Sequence, residues 1–357
     1  MPRNTVARID LDALRFNFEL AAAKAGSARP MAVVKADGYG HGIGAVARAL
    51  ATAAECFAVA CIEEAQAIRA EGLTHPVVLL EGVHDQADLK TCLKEGFEPV
   101  LHSSVQVDWL ISEQVRPVIW LKLNTGMNRL GFNARELDNV VERLAPREGL
   151  IKGLMTHFSC ADDLDNAETA AQTEVFVNVS EAYPDFQRSV GNSAAHFRPG
   201  QALFEWSRPG IMLYGATPMI SQSGPELGLR PVMSLESELI AVRTLAVGEQ
   251  VGYGGSWTAE KPTSMGIVAV GYGDGYPRHA GTGTPAWISG CRVNLIGRVS
   301  MDMLALDLSA VPDASIGDKV ELWGAHVGVD EVARHAGTIA YELLTGVTAR
   351  VPRLYSE

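Results

Sequence analysis

The chain has 357 residues, 47% of them hydrophobic and 20% charged, a globular composition too long for one ordinary domain unless it contains a barrel. Its net charge of -12 disfavours a nucleic-acid partner, which needs a basic face. The five cysteines form no C-x-x-C pair and read as reduced thiols of a cytoplasmic protein; the N-terminus lacks a signal-peptide core, and no apolar run approaches the ~20 residues of a membrane span.

Thr5 to Leu11 alternates like a short strand, and Asp12 is placed to cap a helix over Ala13 to Lys24. Met31 to Val34 is an apolar run ended by Lys35. A glycine-dense turn, Gly38-Tyr39-Gly40-His41-Gly42, and a helical pattern through Val46 and Leu50 follow. The same alternation recurs. Strands are expected at Cys56 to Ala60, Pro76 to Gly82, Pro99 to His102, Val118 to Leu123, Ile151 to His157, Phe186 to Gly191 and Pro209 to Leu213. Helices fall between them, notably Glu63 to Gly72, Ala134 to Leu144 and about 165–182. Eight strand–helix units in about 205 residues fit an N-terminal (β/α)8 barrel over 10–230. Beyond Arg230-Pro231 short strands separated by Gly and Pro turns give a smaller, mostly β C-terminal domain over 231–357, and the strand within 1–9 is expected to join it.

Polar residues gather at the predicted strand ends, where such a barrel keeps its chemistry. Lys35 follows strand one, Lys122 lies in strand five with Arg129 in the loop after it, His157 follows strand six, Ser193 follows strand seven, and Arg208 precedes Gly210 around strand eight. Taken singly, each has a duller reading as a snorkelling lysine, a structural histidine or an ion-pair partner. Barrel closure would turn them onto one mouth. Small residues after strands seven and eight suit a phosphate. A strand-end amine facing such a cradle describes a pyridoxal 5'-phosphate site.

Met31 to Gly42, MAVVKADGYGHG, resembles the signature of the alanine racemases, with Gly38 where that family usually has alanine. The resemblance continues through VGYGGSW, GYGDGYPR, GRVSMDM and TIAYELL, nearly to the end of the chain. It implies a homodimeric, pyridoxal phosphate-dependent enzyme that interconverts L-alanine and D-alanine, with active sites shared between two chains. Lys35 would carry the cofactor and act as one base; Tyr253 of the partner chain would be the other. Tyr39, Ser193, Gly210, Ile211 and Tyr341 would surround the phosphate. Arg208 would face the pyridine nitrogen with His157 in support. Arg129 would contact the ring hydroxyl and the substrate carboxylate. Met301 and Tyr272 would line the substrate site, and Lys122, which positions Arg129, would be a candidate for carbamylation. Asn124 stands where the family usually has aspartate.

Three other readings compete. A non-catalytic pyridoxal phosphate carrier would need only the barrel and leaves the residues after Leu229 without a role. An amino-acid decarboxylase on a similar architecture lacks the Lys35 signature. A metal-dependent hydrolase using His157, Asp162 and Asp163 lacks recognisable ligand spacing.

Overall fold

The structure, a computed structural model, describes residues 3–113, 116–145 and 150–357. The chain divides into two compact units. One comprises Arg15–Leu213 with Pro218–Gln222; the other gathers the residues up to Leu14, Tyr214–Thr217 and Ser223–Glu357.

The N-terminal strand is β1 (Val6–Asp10), followed by α1 (Leu11–Ala25). Residues 1 and 2 of the expected 1–9 segment lie outside the described residues. The helix is capped by Asp10, whose Oδ1 accepts the Ala13 N–H at 2.8 Å. Asp12, the expected cap, already sits inside the first turn, where a carboxylate favours the helix dipole.

The first unit is a closed barrel of eight parallel strands: β2 (Arg29–Val33), β3 (Cys56–Val59), β4 (Val77–Leu79), β5 (Phe97–Leu101), β6 (Ile119–Lys122), β7 (Ile151–Met155), β8 (Gln187–Ser189) and β9 (Trp206–Ser207). Between them run α2 (Ile43–Leu50), α3 (Ile62–Ala70), α4 (Asp88–Glu95), α5 (Ser104–Glu113), α6 (Ala134–Leu144) and α7 (Glu168–Ser180). Strands β3 to β6 are buried along their whole length and are mostly apolar, whereas β8, Gln187–Ser189, is polar and only its last residue is buried. Helix α6 starts on a capping box in which Asn133 and Glu136 satisfy each other's backbone N–H.

One expected strand is displaced. Pro209 to Leu213 is not the eighth barrel strand; that strand is β9, where Trp206 and Ser207 pair with Arg29 and Pro30 and close the ring. The apolar run after it turns into a single 3-10 turn, Ile211–Tyr214, with Leu213 N–H bonded to Gly210 O at 2.8 Å. A buried 3-10 turn and a buried strand carry the same hydrophobic signal over four residues.

The second unit is built on an eight-stranded sheet. Its members after β1 are β10 (Met233–Leu245), β13 (Thr263–Val268), β14 (Pro285–Ile288), β15 (Cys291–Ile296), β16 (Leu304–Asp307), β17 (Lys319–Trp323) and β18 (Arg353–Ser356). The long β10 pairs with β1 and β17 along its first half and with β13 along its second, so the strand order returns on itself. Strand β1 lies between β10 and β18. A two-stranded hairpin, β11 (Gln250–Val251) and β12 (Trp257–Thr258), stands apart from that sheet, and Val251 and Trp257 anchor it in a cluster with Leu245, Met265 and Ile296. Helices α8 (Val329–His335) and α9 (Ala340–Gly346) complete the unit.

The barrel end carrying the strand starts is polar. Glu98 on β5 accepts Lys152 Nζ at 2.7 and 2.9 Å and the Trp120 indole N–H at 2.9 Å. The Lys152 ammonium also lies 5.6 and 5.3 Å from the ring centroids of Trp120 and Trp206. Removing one member of a buried pair strands the other charge. Glu98→Ala is therefore expected to destabilise the protein by about 3 kcal/mol, read as a lower urea midpoint, and adding Lys152→Met should recover much of the loss.

Candidate active site

The opposite end of the barrel collects the residues that chemistry needs. After β2 the backbone turns at Lys35 into a left-handed turn. Ala36, Asp37, Gly38 and Tyr39 have φ of 51°, 53°, 61° and 52°. That conformation costs a residue with a side chain roughly 1–2 kcal/mol. Two carboxylates hold it. Glu64 Oε1 accepts the Ala36 N–H at 2.6 Å, and Asp37 Oδ1 accepts the Ile43 N–H at 2.8 Å. The turn leaves Lys35 partly exposed and buries Tyr39.

Tyr39 reaches the loop after β9. A side chain added at Gly210 would stand 2.5 Å from the Tyr39 hydroxyl oxygen, so only glycine fits there. The Gly210 N–H donates to Ser193 Oγ at 2.8 Å, and the Met212 N–H approaches the same oxygen at 3.4 Å. Ser193 and Ile211 are buried beside them. Burial, and then the charge of Glu64, drive the Tyr39 phenol pKa upward, so this hydroxyl keeps its proton and remains a donor. Tyr39 and Ser193 present neutral hydroxyls here, donors of a kind that suits a phosphate, while the Gly210 and Met212 N–H groups orient the Ser193 oxygen.

Arg208, directly after β9, is 4% exposed, and its partners are neutral. It donates to Ser189 Oγ at 2.6 Å, to the Thr156 carbonyl at 2.5 Å, to the Val190 carbonyl at 3.3 Å and to His157 Nδ1 at 3.4 Å. Burial lowers its pKa to about 9, which leaves it a cation at neutral pH. His157 is pushed well below its ordinary value by burial, then by Arg208, Lys122, Arg129 and Lys35. A neutral ring whose Nδ1 accepts from Arg208 carries its proton on Nε2.

Lys122 ends β6 and is 8% exposed. Burial is the main cause that lowers its pKa to about 7; Arg208, Arg129 and Lys35 lower it further, and Glu81 opposes them. Gly131 brings the following loop back over it, since a side chain there would meet Asn124 N at 2.8 Å and Lys122 Cγ at 3.0 Å. Asn124 serves that loop. Its Oδ1 accepts the N–H groups of Gly126 and Asn128 at 3.2 and 3.0 Å, and its Nδ2 donates to Asn128 Oδ1 at 2.9 Å, a bond an aspartate could not make. Arg129 is exposed on the same loop, and Lys122, Arg129, Thr156 and His157 line one cavity.

The other expected site residues belong to the second unit. Tyr253 sits at the tip of the β11–β12 hairpin, 70% exposed, between Gly252 and Gly254. Tyr272 and Met301 are also exposed. They occupy adjoining turns held by Tyr272 N–H to Ser300 O at 3.0 Å and Gly273 N–H to Met301 O at 2.8 Å. The buried Asp274 carboxylate anchors those turns, bonded to Arg3 and, at 2.9 Å, to the Gly271 N–H. Tyr341 lies on α9, partly buried.

Sequence reasoning missed Glu64, Ser189, Thr156 and His196. His196 links the Asn192 carbonyl at 2.9 Å to Ser207 Oγ at 3.1 Å, and burial lowers its pKa to about 4. The only signal for these residues was their closeness to strand ends. Among the described residues, no three His, Cys, Asp or Glu side chains form a group able to hold a metal ion. His157, the proposed ligand of the hydrolase reading, instead faces a guanidinium.

A closed parallel barrel with an amine, several cations and neutral hydroxyls gathered at its strand ends has the architecture in which enzymes place their active sites. The sequence models of the alanine racemase N-terminal and C-terminal domains match residues 9–218 and 232–355. An alanine racemase of Marinobacter nauticus is 62% identical, with 99% of this chain and all of the relative covered. The biosynthetic alanine racemase structure from Pseudomonas aeruginosa superposes with a TM-score of 0.96 at 47% identity, covering 99% of this chain and 100% of that one. A Bartonella henselae alanine racemase described with covalently bound pyridoxal phosphate superposes at 0.90 with 28% identity, over 99% of this chain and 100% of that one. The chain belongs to the alanine racemase family, a family of pyridoxal phosphate-dependent enzymes, and is itself an amino-acid racemase.

The cradle makes a direct prediction. Gly210→Ala should push Tyr39 aside and lower the affinity of the purified protein for pyridoxal phosphate by about 10-fold or more, measured by titrating the apoprotein and following fluorescence.

Proposed function

We propose that this racemase interconverts L-alanine and D-alanine with two bases on opposite faces of the substrate, Lys35 and the Tyr253 of a second copy, in a homodimer that binds pyridoxal 5'-phosphate. The observation that carries the reading is the Lys35 amine at the end of the first barrel strand, in a cluster with Lys122, Arg129 and Arg208 and on the same turn as Tyr39, which reaches the cradle of Ser193 and Gly210. These residues fit the cofactor: an amine for its aldehyde, neutral hydroxyl donors for its phosphate, and a close approach of the Gly210 backbone to the Tyr39 hydroxyl that a methyl group would block.

Bound pyridoxal phosphate supplies the electron-withdrawing system that makes the α-hydrogen of alanine acidic. Lys35 holds the cofactor and exchanges a proton with the α-carbon on one face. Tyr253 does so on the other, so neither base has to cross the substrate plane. Tyr39, Ser193, Gly210, Ile211 and Tyr341 hold the phosphate. Arg208 has donors and no acceptor, so it offers a hydrogen to the ring nitrogen and takes none, which keeps that nitrogen unprotonated and limits side reactions. His157, neutral and bonded to Arg208, keeps the guanidinium in place. Arg129 binds the substrate carboxylate, and Tyr272 and Met301 bound the substrate space. Five unpaired thiols fit a cytoplasmic setting. No helix among the described residues is long and apolar enough to cross a membrane.

Lys122 completes the wall. With its pKa lowered to about 7, it holds a population of uncharged amine at neutral pH that an ordinary lysine lacks. An uncharged amine adds carbon dioxide, releasing one proton and becoming a carbamate. The new negative charge would lie among Lys35, Arg129 and Arg208, and would orient Arg129.

Racemisation of L-alanine with chiral detection tests the activity. Mixing Lys35→Ala with Tyr253→Phe tests the shared site. If Tyr253 acts in the second copy, each mixed dimer has one intact site, and about a quarter of wild-type activity should return; mixed dimers without recovery would confine Tyr253 to its own chain. Labelled bicarbonate should give a carbamate carbon resonance that Lys122→Arg abolishes. Its intensity should fall as pH drops below about 7, because protonation removes the reacting amine.

A further inference from the structure

We propose that Glu64 is a positioning residue for Lys35: its carboxylate clamps the left-handed turn that begins at Ala36 and so fixes how the preceding lysine leaves β2. The proposal rests on the reading of Lys35 as the amine that carries the cofactor. Glu64 lies in the first turn of α3, outside every sequence motif that points to the site. Its two oxygens serve two strand ends. Oε1 accepts the Ala36 N–H at 2.6 Å, one residue past Lys35, and Oε2 accepts the Ala60 N–H at 2.8 Å, one residue past β3.

The clamp matters because the turn is locally unfavourable. Ala36, Asp37 and Tyr39 all take a positive φ that only glycine adopts freely. Bonds inside the turn run from Gly40 N–H to Ala36 O at 2.9 Å and from Gly42 N–H to Asp37 O at 2.9 Å. Asp37 ties its far side through the Ile43 N–H. On the Lys35 side, the Glu64 carboxylate is the side chain that tethers Ala36. Were Ala36 to relax toward ordinary backbone angles, the direction of the lysine would change with it. The same turn seats Tyr39 against Gly210, so the clamp bears on both the amine and the cradle. Persistent strain held by surrounding bonds is a recurrent arrangement next to reacting groups.

The test compares the wild-type holoenzyme with Glu64→Ala and with Glu64→Ala/Ala36→Gly. Glycine adopts the left-handed turn without a clamp. Glu64→Ala should lower kcat roughly 10- to 100-fold, with KM for alanine changed by less than about threefold. Amide hydrogens of 36–43 should exchange about 10-fold faster in the variant. At equimolar pyridoxal phosphate, the fraction of Lys35 fixed by borohydride, read by mass spectrometry, should fall. The double variant should recover much of kcat and of the fixed fraction. A Glu64→Ala protein with normal exchange and normal fixation, or a double variant with no recovery, overturns the clamp. Should Glu64→Ala not fold, Glu64→Gln is read by the same measurements, since it retains one acceptor and sets an amide group against the other N–H. If wild-type Lys35 itself is never fixed, the reading of Lys35 fails and the clamp with it; normal wild-type fixation confines any failure to Glu64.

Discussion

An excess of positive charge is what the barrel mouth is built around. Beyond burial, Arg208, Arg129 and Lys35 all depress the Lys122 pKa, and Glu81 acts the other way. Arg208 is buried among hydroxyl, carbonyl and imidazole acceptors, none of which neutralises it. Such an arrangement raises the energy of the empty site and lowers that of an anionic occupant. Burial first, and then the same positive field, keeps His157 neutral and lowers the Lys122 pKa to about 7.

Placing those charges depends on closure of the strand ring. Three strand ends supply them: Lys35 follows β2, Lys122 and Arg129 belong to the end of β6 and its loop, and Arg208 follows β9. Strand β9 contributes only Trp206 and Ser207, yet its pairing with β2 completes the ring and sets Arg208 opposite Ser189 and Thr156. The Glu98–Lys152–Trp120 group at the other end joins three strands through side chains. One end of the barrel thus carries a paired charge, and the other gathers cations from three strand ends.

Much of this was legible in the sequence. Apolar runs bounded by Gly and Pro located the barrel strands to within a few residues, and α6 to its ends, because buried parallel strands and an amphipathic helix write distinct patterns. The Lys35 turn was legible through its glycines and the family resemblance. Other features left weaker marks. A two-residue strand has no periodicity, so the apolar segment after Arg208 drew the assignment of β9 onto itself. The β11–β12 hairpin around Tyr253 and the short β18 are too brief to alternate visibly. Glu64 looks like any acidic residue in a helix's first turn, and its bonds to two backbone amides exist only once α3 packs beside β2 and β3. Asp10 and Asp12 compete for one cap, and only the geometry chooses between them.

The neighbours of β1 carry a consequence for synthesis. Ser356 bonds to Ile9 across a separation of 347 residues, and β10, the other neighbour of β1, begins only at Met233. At about 5–20 residues per second, β1 leaves the ribosome on the order of tens of seconds before either neighbour exists. The barrel has time to fold as an insert while this strand waits with both edges open. Its sequence suits the wait: Arg8 and Asp10 alternate with the buried Ala7 and Ile9, so the exposed strand carries charge along one face and offers a poor template for pairing with another nascent chain.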